Sequence, residues 1–385
     1  MARPSPLGAL FAAQFLSAFV DNMILFVALA IIRRDAYPDY YLPFVQSTFF
    51  AAYILLSPWV GRFADRTAKA RVLMAGNAVK AAGVTMMLAG LDPALSYAVV
   101  GVGAVIYSPA KYGILPFLTR GEDELLRANS GLESYTIVAI LAGSVAGGMV
   151  ADFSVTAGLL ACIALYGASI AVNLLIPADP GDRSIGYRHA VDEFFRDAAA
   201  LLANRQSHYS LVGTGSFWMA SAVLRMIIFA WVPLTLGITS GTAISMIIAV
   251  TGVGIAVGAA VTPRLVSIRT YRRTVWYGLA MGLGVLAFLL IGTLPLTVAG
   301  LLAVGTLGGV YIVPMNACLQ QVGHRSVGAG KTIAIQNFFE NGFMFAGVGA
   351  YTLAAKAGVA TPVSLAATGL ALLAMVGYLF AYSRR

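Results

Sequence analysis

Residues 8–32 read GALFAAQFLSAFVDNMILFVALAII, an apolar run interrupted by a single charged residue, Asp21. A bilayer core about 30 Å thick requires roughly 20 apolar residues in helical conformation, so this run predicts a membrane-spanning helix. It is not preceded by the short basic segment and small-residue cleavage site of a secretory signal, so we interpret it as a retained span.

Apolar runs of similar length recur along the whole chain. The sequence is 59% hydrophobic and 11% charged, whereas about a quarter of the residues in a soluble domain are charged. We therefore expect an all-α membrane protein. The twelve predicted spans are 8–32, 43–60, 72–90, 94–116, 129–151, 155–176, 208–235, 242–262, 274–292, 296–319, 331–354 and 361–382.

Basic residues are concentrated in alternate loops. The loops that follow even-numbered spans, together with both termini, contain most of the 25 lysines and arginines, whereas the opposite loops contain Arg33, Arg34 and Lys356. The positive-inside rule then predicts that both termini are cytoplasmic. Topology thus explains the net charge of +9, and the scattered basic clusters do not suggest a nucleic-acid partner.

One long polar connection, residues 177–206, divides the spans six and six. We predict an N-terminal six-helix bundle at 1–176, a cytoplasmic linker with an interfacial helix at 177–206, and a C-terminal six-helix bundle at 207–385. Segment 22–26 (NMILF) matches segment 225–229 (RMIIF) at an offset of 203, and two further pairs match at 204 and 205. Such parallel repeats are typical of secondary transporters.

Ionisable residues inside spans are the strongest functional signal, because a mid-membrane charge costs at least about 2.5 kcal/mol on insertion scales. Under the repeat, Asp21 and Arg225 have similar depths on equivalent helices, so they either pair or share a zwitterionic ligand. The alternative is that such charges form structural or gating salt bridges. The intramembrane ionisable residues are Asp21, Lys80, Lys111, Glu133, Arg225 and Glu340.

Four of these residues are candidates for substrate binding. The guanidinium of Arg225 suits a phosphate, Lys111 adds a point charge, and Asp21 or Glu340 can accept hydrogen bonds from an amine. Together they predict an amphoteric, phosphate-bearing substrate. Possible supporting or gating residues are Asn22, Lys80, Glu133, Asn316, Gln336 and Asn337, although buried amides also join helices without touching a substrate.

Enzyme and metal signals are weak. Ser108-Pro-Ala-Lys111 matches S-x-x-K but lies in a span, and Arg325 replaces the first glycine of a P-loop before Lys331-Thr332. Neither the three histidines nor the two cysteines have metal-ligand spacing. We expect no enzymatic activity, no cofactor and no metal.

The loop between the second and third spans reads Gly61-Arg-Phe-Ala-Asp65-Arg66-Thr-Ala-Lys69-Ala-Arg71. It resembles the loop motif of the major facilitator superfamily, in which a glycine permits a tight turn and an acidic residue with following bases helps to hold one conformation. By this resemblance, Gly61, Asp65, Arg66 and Lys69 form a conformational loop motif. The usual second glycine is Ala68 here. The alternative is an ordinary basic cytoplasmic loop.

Longer blocks resemble one family within that superfamily, the bacterial lysophospholipid transporters. Asp21, Lys111 and Glu340 fall inside these blocks, and Arg225 lies beside the matched repeat. The blocks are Gln14-Phe-Leu-Ser-Ala-Phe-Val-Asp21-Asn22, Tyr107-Ser-Pro-Ala-Lys111-Tyr-Gly-Ile-Leu115, Gly143-Ser-Val-Ala-Gly-Gly148, Ser210-Leu-Val-Gly213, Val313-Pro-Met-Asn316, Ser326-Val-Gly-Ala-Gly330, Ile335-Gln-Asn337 and Glu340-Asn341.

The resemblance implies a fold of two six-helix bundles and a lysophospholipid flippase. Family members move lysophosphatidylethanolamine and related lysophospholipids from the outer to the inner leaflet of the bacterial inner membrane for re-acylation. The lipid enters sideways, and alternating access moves its head group. Because the chain ends at Arg385, we expect a separate acyltransferase/acyl-carrier-protein synthetase partner, and we expect a monomer. The alternative is an ion-coupled drug or small-solute porter of the same fold.

Overall fold

A computed structural model describes residues 5–120 and 122–384, and the side chain of Glu133 lies outside the described part. The architecture of the described residues is helical. The helices are α1 (Pro6–Arg34), α2 (Tyr41–Arg66), α3 (Lys69–Leu88), α4 (Pro93–Gly113), α5 (Leu115–Leu118), α6 (Glu122–Phe153), α7 (Val155–Asn173), α8 (Ala190–Ala203), α9 (Arg205–Leu236), α10 (Gly241–Leu265), α11 (Thr274–Ala287), α12 (Leu294–Ser326), α13 (Ala329–Lys356) and α14 (Thr361–Arg384), with 3₁₀ turns at Ile268–Arg273 and Phe288–Leu290.

Each of the twelve predicted spans coincides with one of these helices. In the described ranges, ten helices are long and apolar enough to cross a membrane. The other two long helices are α3 and α13, which carry Lys80 and Glu340 among other polar residues that lower their mean hydropathy. The predicted all-α membrane fold is therefore confirmed, and the predicted linker helix corresponds to α8.

Local sequence signals explain where several helices begin and end. The Ser5 hydroxyl accepts a hydrogen bond from the backbone N–H of Gly8 at the start of α1. Asp92 accepts from two backbone N–H groups at the start of α4, where Pro93 is the first helical residue. Gly237 ends α9 with φ of 68°, a left-handed conformation that glycine adopts without steric cost.

Contacts group the described residues into two compact units. The first comprises residues up to Ala36 and Thr48–Phe195, and the second comprises Tyr37–Ser47 and residues from Arg196 onward. In the first unit, α1 packs against α6 and α7, and α3 packs against α4 and α7. The equivalent pairs recur in the second unit, where α9 packs against α13 and α14, and α11 packs against α12 and α14. This matching order supports the internal repeat.

Small residues bring α6 close to α1. A Cβ atom added to Gly143 would lie 2.9 Å from the Cα of Phe19, and one added to Gly147 would lie 2.9 Å from the Cα of Met23. Only glycine permits this approach, as for small residues at membrane helix interfaces in general. These glycines bring the second half of α6 into close contact with α1 at Phe19 and Met23.

Candidate functional site

A cavity lies within the first unit, lined by residues of α1, α2, α3, α4 and α6. Two predicted substrate-binding residues, Asp21 and Lys111, line it together with two predicted supporting residues, Asn22 and Lys80. The structure thus brings together four candidates that are separated by up to 90 positions in the sequence. Its polar lining is Gln14, Asp21, Asn22, Tyr53, Lys80, Tyr107, Ser108, Lys111 and Thr136.

The centre of this site is an ion pair between α1 and α3. The Lys80 ammonium lies 2.7 Å from Asp21 Oδ2, and the Tyr166 hydroxyl of α7 donates to Asp21 Oδ1 at 2.7 Å. The Lys80 side chain is 1% exposed and that of Asp21 is 23% exposed. Because a buried ammonium is stable only when paired, Lys80 and Asp21 neutralise each other, while Asp21 keeps one accessible edge.

A second layer of hydrogen bonds orients the lysine. Lys80 Nζ donates to Ser17 Oγ at 2.9 Å and lies 4.7 Å from the centre of the Tyr107 ring. Ser17 in turn donates to Asn77, and the Asn77 amide donates to Ser169. Asp21, Ser17 and the Tyr107 ring therefore surround the ammonium, so Lys80 is fixed in place as the counter-ion of Asp21.

Lys111 is the third charged residue of the cavity. It lies in the last turn of α4, with Nζ 4.7 Å from the centre of the Tyr112 ring, and it is half-buried. Because Asp21 and Lys80 cancel, Lys111 gives these three residues a net charge of +1, which suits an anionic group. The neighbouring Asn22 also lines the cavity, and its amide donates to the carbonyl of Ala18.

The second unit contains a carboxylate that is buried, Glu340. Gln336 Nε2 donates to Glu340 Oε1 at 2.7 Å and lies 2.9 Å from Asn316 Oδ1, so the amide joins α13 to α12. Glu340 is 8% exposed, and Trp218 of α9 is a further hydrogen-bonding neighbour. The structure therefore connects three predicted residues, Asn316, Gln336 and Glu340, through hydrogen bonds of the Gln336 amide.

The remaining candidates of the second unit lie on α9 and α13. Arg225 lies half-buried on α9 of the second unit, and Asn337 lies half-buried one residue after Gln336. Their predicted roles, and the predicted proximity of Arg225 to Asp21, stay predictions. The side chain of Glu133 lies outside the described residues.

Sequence reasoning missed several residues that surround Asp21 and Lys80. Gln14, Ser17 and Asp21 follow one another at helical spacing on α1, a periodicity that would have identified one polar face. Tyr166 had no comparable signal, because its spacing in α7 is that of an ordinary packing residue. Which residue neutralises Asp21 also depends on how α3 is rotated, and local sequence does not determine that rotation.

The loop motif contacts the linker that follows α7. Lys69 Nζ lies 3.0 Å from Asp179 Oδ2 and 3.9 Å from Asp65 Oδ1. Arg66 donates to the carbonyl of Ile185 at 2.9 Å. The sequence placed the charge network within the motif alone, whereas the structure adds the buried Asp179 as its main acceptor.

Gly61 does not form a turn. It lies inside α2, which continues to Arg66, and a Cβ atom at this position would meet nothing within 4 Å. The turn consists instead of Thr67 and Ala68, between the end of α2 and the start of α3. Further along the linker, hydrogen bonds from the Ser184 hydroxyl and backbone N–H lower the pKa of the Asp182 carboxyl.

Comparisons with known proteins agree with this architecture. The family model of the major facilitator superfamily matches residues 10–350. Among solved structures, a nucleoside transporter, NupG, superposes with a TM-score of 0.74 at 12% identity, covering 99% of both chains. A bacterial homologue of the human lysosomal transporter Spinster superposes with a TM-score of 0.74 at 16% identity, covering 100% of this chain and 98% of that one.

Curated relatives are much more similar in sequence. The lysophospholipid transporter LplT of Serratia proteamaculans is 45% identical over 351 residues, covering 90% of this chain and 88% of its own. LplT of Salmonella typhimurium is 46% identical over 351 residues, covering 90% of this chain and 87% of its own. The chain therefore belongs to the major facilitator superfamily and, within it, to the lysophospholipid transporter family.

Proposed function

We propose that this protein is a lysophospholipid flippase that moves lysophosphatidylethanolamine and related lipids from the outer to the inner leaflet of the bacterial inner membrane. The observation that carries the proposal is the 45% identity to a lysophospholipid transporter over 90% of the chain. The chemistry of the first-unit cavity supports it independently.

The charges of the cavity suit a zwitterionic head group. Lysophosphatidylethanolamine carries an anionic phosphate and an ammonium group. Lys111 offers a positive charge for the phosphate, as lysines commonly do. A carboxylate has about four acceptor positions, of which Lys80 and Tyr166 each use one on Asp21. The remaining positions of Asp21 are available to the lipid ammonium.

The second unit would complete the recognition in a different part of the transport cycle. We assign Arg225 to the phosphate, because its guanidinium forms two parallel hydrogen bonds with phosphate oxygens. We assign Glu340 to the ammonium, with Asn316, Gln336 and Asn337 as supporting residues. The bundles at 1–176 and 207–385 would act as the two halves of an alternating-access transporter, with the acyl chain remaining in lipid.

The proposed function also has consequences for the membrane location, the topology and the partner of the protein. Basic residues in alternate loops support cytoplasmic termini, and the family resemblance supports the bacterial inner membrane. We propose that the protein acts as a monomer. Re-acylation of the delivered lipid needs a separate acyltransferase/acyl-carrier-protein synthetase as functional partner. The transporter itself performs no covalent step in this scheme.

Inward movement of labelled lysophosphatidylethanolamine by the purified protein in liposomes tests the function. We expect protein-dependent uptake that Arg225→Ala abolishes. Parallel arms with a proton gradient, a sodium gradient and neither will establish whether transport is ion-coupled. Absence of uptake by folded wild-type protein in every arm would refute lipid flipping and favour a small-solute porter.

A further inference from the structure

The first-unit cavity contains a polar side chain that the proposed function leaves unused, Gln14 of α1. Gln14 lines the cavity and is only 3% exposed. Its amide nitrogen donates to Thr136 Oγ1 of α6 at 2.9 Å. Its amide oxygen, Oε1, is buried and has no hydrogen-bond partner among the residues that the structure describes.

The hydrogen bonds around Thr136 fix the orientation of this amide. The Thr136 hydroxyl has one hydrogen, which it donates to the carbonyl of Leu132 at 2.7 Å. Towards Gln14, Thr136 Oγ1 can therefore only accept, so the amide nitrogen must face it. The unpartnered atom is consequently an acceptor, and the missing partner is a hydrogen-bond donor.

Given the proposed function, on which this step rests, we infer that Gln14 Oε1 accepts a hydrogen bond from the free glycerol hydroxyl of the lysophospholipid. This hydroxyl distinguishes a lysophospholipid from a diacyl phospholipid, in which it is esterified. Gln14 is then a specificity-determining residue, and Thr136 is its positioning residue.

The choice of the hydroxyl follows from the donors that the lipid offers. The phosphate carries no donor at neutral pH. The ammonium forms its strongest hydrogen bonds with a charged acceptor, and Asp21 lines the same cavity with one accessible edge. The neutral hydroxyl is the donor that remains, and the neutral amide oxygen of Gln14 is its complement.

Selectivity for lysophospholipids over diacyl phospholipids follows from the energetic cost of leaving Gln14 Oε1 without the hydroxyl donor. A buried acceptor without a partner retains its full desolvation penalty. Sites built to bond a substrate hydroxyl accordingly reject analogues that lack it far more strongly than apolar pockets reject a change in size. A lipid with both hydroxyls esterified would leave Gln14 Oε1 unpaired at every turnover.

Transport of two matched lipids tests this assignment in proteoliposomes. One is lysophosphatidylethanolamine, and the other is its 2-deoxy analogue, in which hydrogen replaces the hydroxyl. We expect wild-type protein to favour the hydroxyl lipid by roughly tenfold in initial rate, the size of effect typical of an unpaired buried acceptor. Gln14→Met keeps the side-chain length without the amide and should reduce this ratio to about one.

Gln46 provides a matched control within the same chain. Its Oε1 is likewise buried without a hydrogen-bond partner in the described ranges, but Gln46 does not line the cavity. Gln46→Met should therefore leave the ratio at its wild-type value. Thr136→Val, which frees the Gln14 amide to rotate, should lower the ratio by a smaller factor than Gln14→Met.

The wild-type comparison alone can overturn the assignment, without any variant. Equal rates for the two lipids would refute the role of Gln14 and leave lysophospholipid transport standing. No transport of either lipid would instead refute the proposed function. A wild-type ratio that persists in folded Gln14→Met would assign the hydroxyl to another residue.

Discussion

Each unit holds a carboxylate inside a membrane-spanning helix, but the two carboxylates are held in different ways. Asp21 is paired with the enclosed ammonium of Lys80, whereas Glu340 receives a hydrogen bond from the neutral amide of Gln336. An amide contributes a dipole and no charge. The difference suggests that Asp21 combines a structural and a binding role, while the charge of Glu340 is kept for a ligand cation.

The repeat sharpens this contrast. At an offset of 204, Gln14 and Thr136 of the first unit correspond to Trp218 and Glu340 of the second. Both pairs join equivalent helices through a hydrogen bond. The contact is therefore present in both units with different chemistry: the acceptor is the Thr136 hydroxyl in the first unit and the Glu340 carboxylate in the second.

The largest expected effect is that of Lys80→Met. Removing one partner of a buried ion pair leaves an uncompensated charge, which costs about 3–5 kcal/mol. We expect the free energy of unfolding, measured by denaturant titration in detergent, to fall by roughly this amount, and lysophospholipid transport to be lost.

The double variant Asp21→Asn/Lys80→Met is the control for that prediction. Because it removes both charges, it should recover most of the lost stability without recovering transport. Unchanged stability in Lys80→Met would show that the pair is not a buried ion pair in the membrane.

Glu340→Gln should show the opposite pattern. A glutamine keeps one acceptor oxygen for the Gln336 amide and the Trp218 indole, so the free energy of unfolding should fall by only about 1–2 kcal/mol. Transport should nevertheless fall at least about tenfold, because the neutral side chain no longer attracts an ammonium. Normal transport by this variant would remove Glu340 from the substrate site.

Two buried tyrosines give a smaller, matched comparison. Tyr166 donates to the Asp21 carboxylate at 2.7 Å, whereas the Tyr311 hydroxyl of the second unit shares a 3.0 Å hydrogen bond with Ser216. Hydrogen bonds to charged groups contribute about 1.5–3 kcal/mol and neutral ones about 0.5–1.5. Tyr166→Phe should therefore destabilise the protein more than Tyr311→Phe, as thermal unfolding will determine.

The smallest effects concern two ion pairs that involve the linker segment. Lys69 pairs with the buried Asp179 in the first unit, and Lys331, whose side chain is 55% exposed, pairs with Asp197 in the second. Exposed ion pairs contribute little to stability. Lys69→Ala should accelerate tryptic cleavage after Arg183 several-fold, whereas Lys331→Ala should leave this rate nearly unchanged. Equal rates in the two variants would contradict a linker held by the loop motif.

The sequence predicted much of the fold because lipid imposes a simple rule on it. Apolar runs of spanning length and alternating basic loops were enough to locate twelve helices. The same rule singled out Asp21, Lys111 and Glu340 as candidate site residues, since charges inside spans are rare.

The rest depended on packing that local patterns do not encode. The pairing of Lys80 with Asp21 is set by the rotation of α3 against α1. Asp179 lies in an aperiodic polar segment, so nothing in the sequence connected it with Lys69. The resemblance to the loop motif placed a turn at Gly61, whereas α2 continues through this position to Arg66.

The initial rate of lysophosphatidylethanolamine uptake by Asp21→Asn in proteoliposomes tests the central claim most directly. The control is Asp35→Asn, which alters an exposed carboxylate outside the cavity. With equal amounts of folded protein, we predict at least about a tenfold loss for Asp21→Asn and a near-normal rate for Asp35→Asn. Equal rates for both variants would contradict a head-group site built around Asp21.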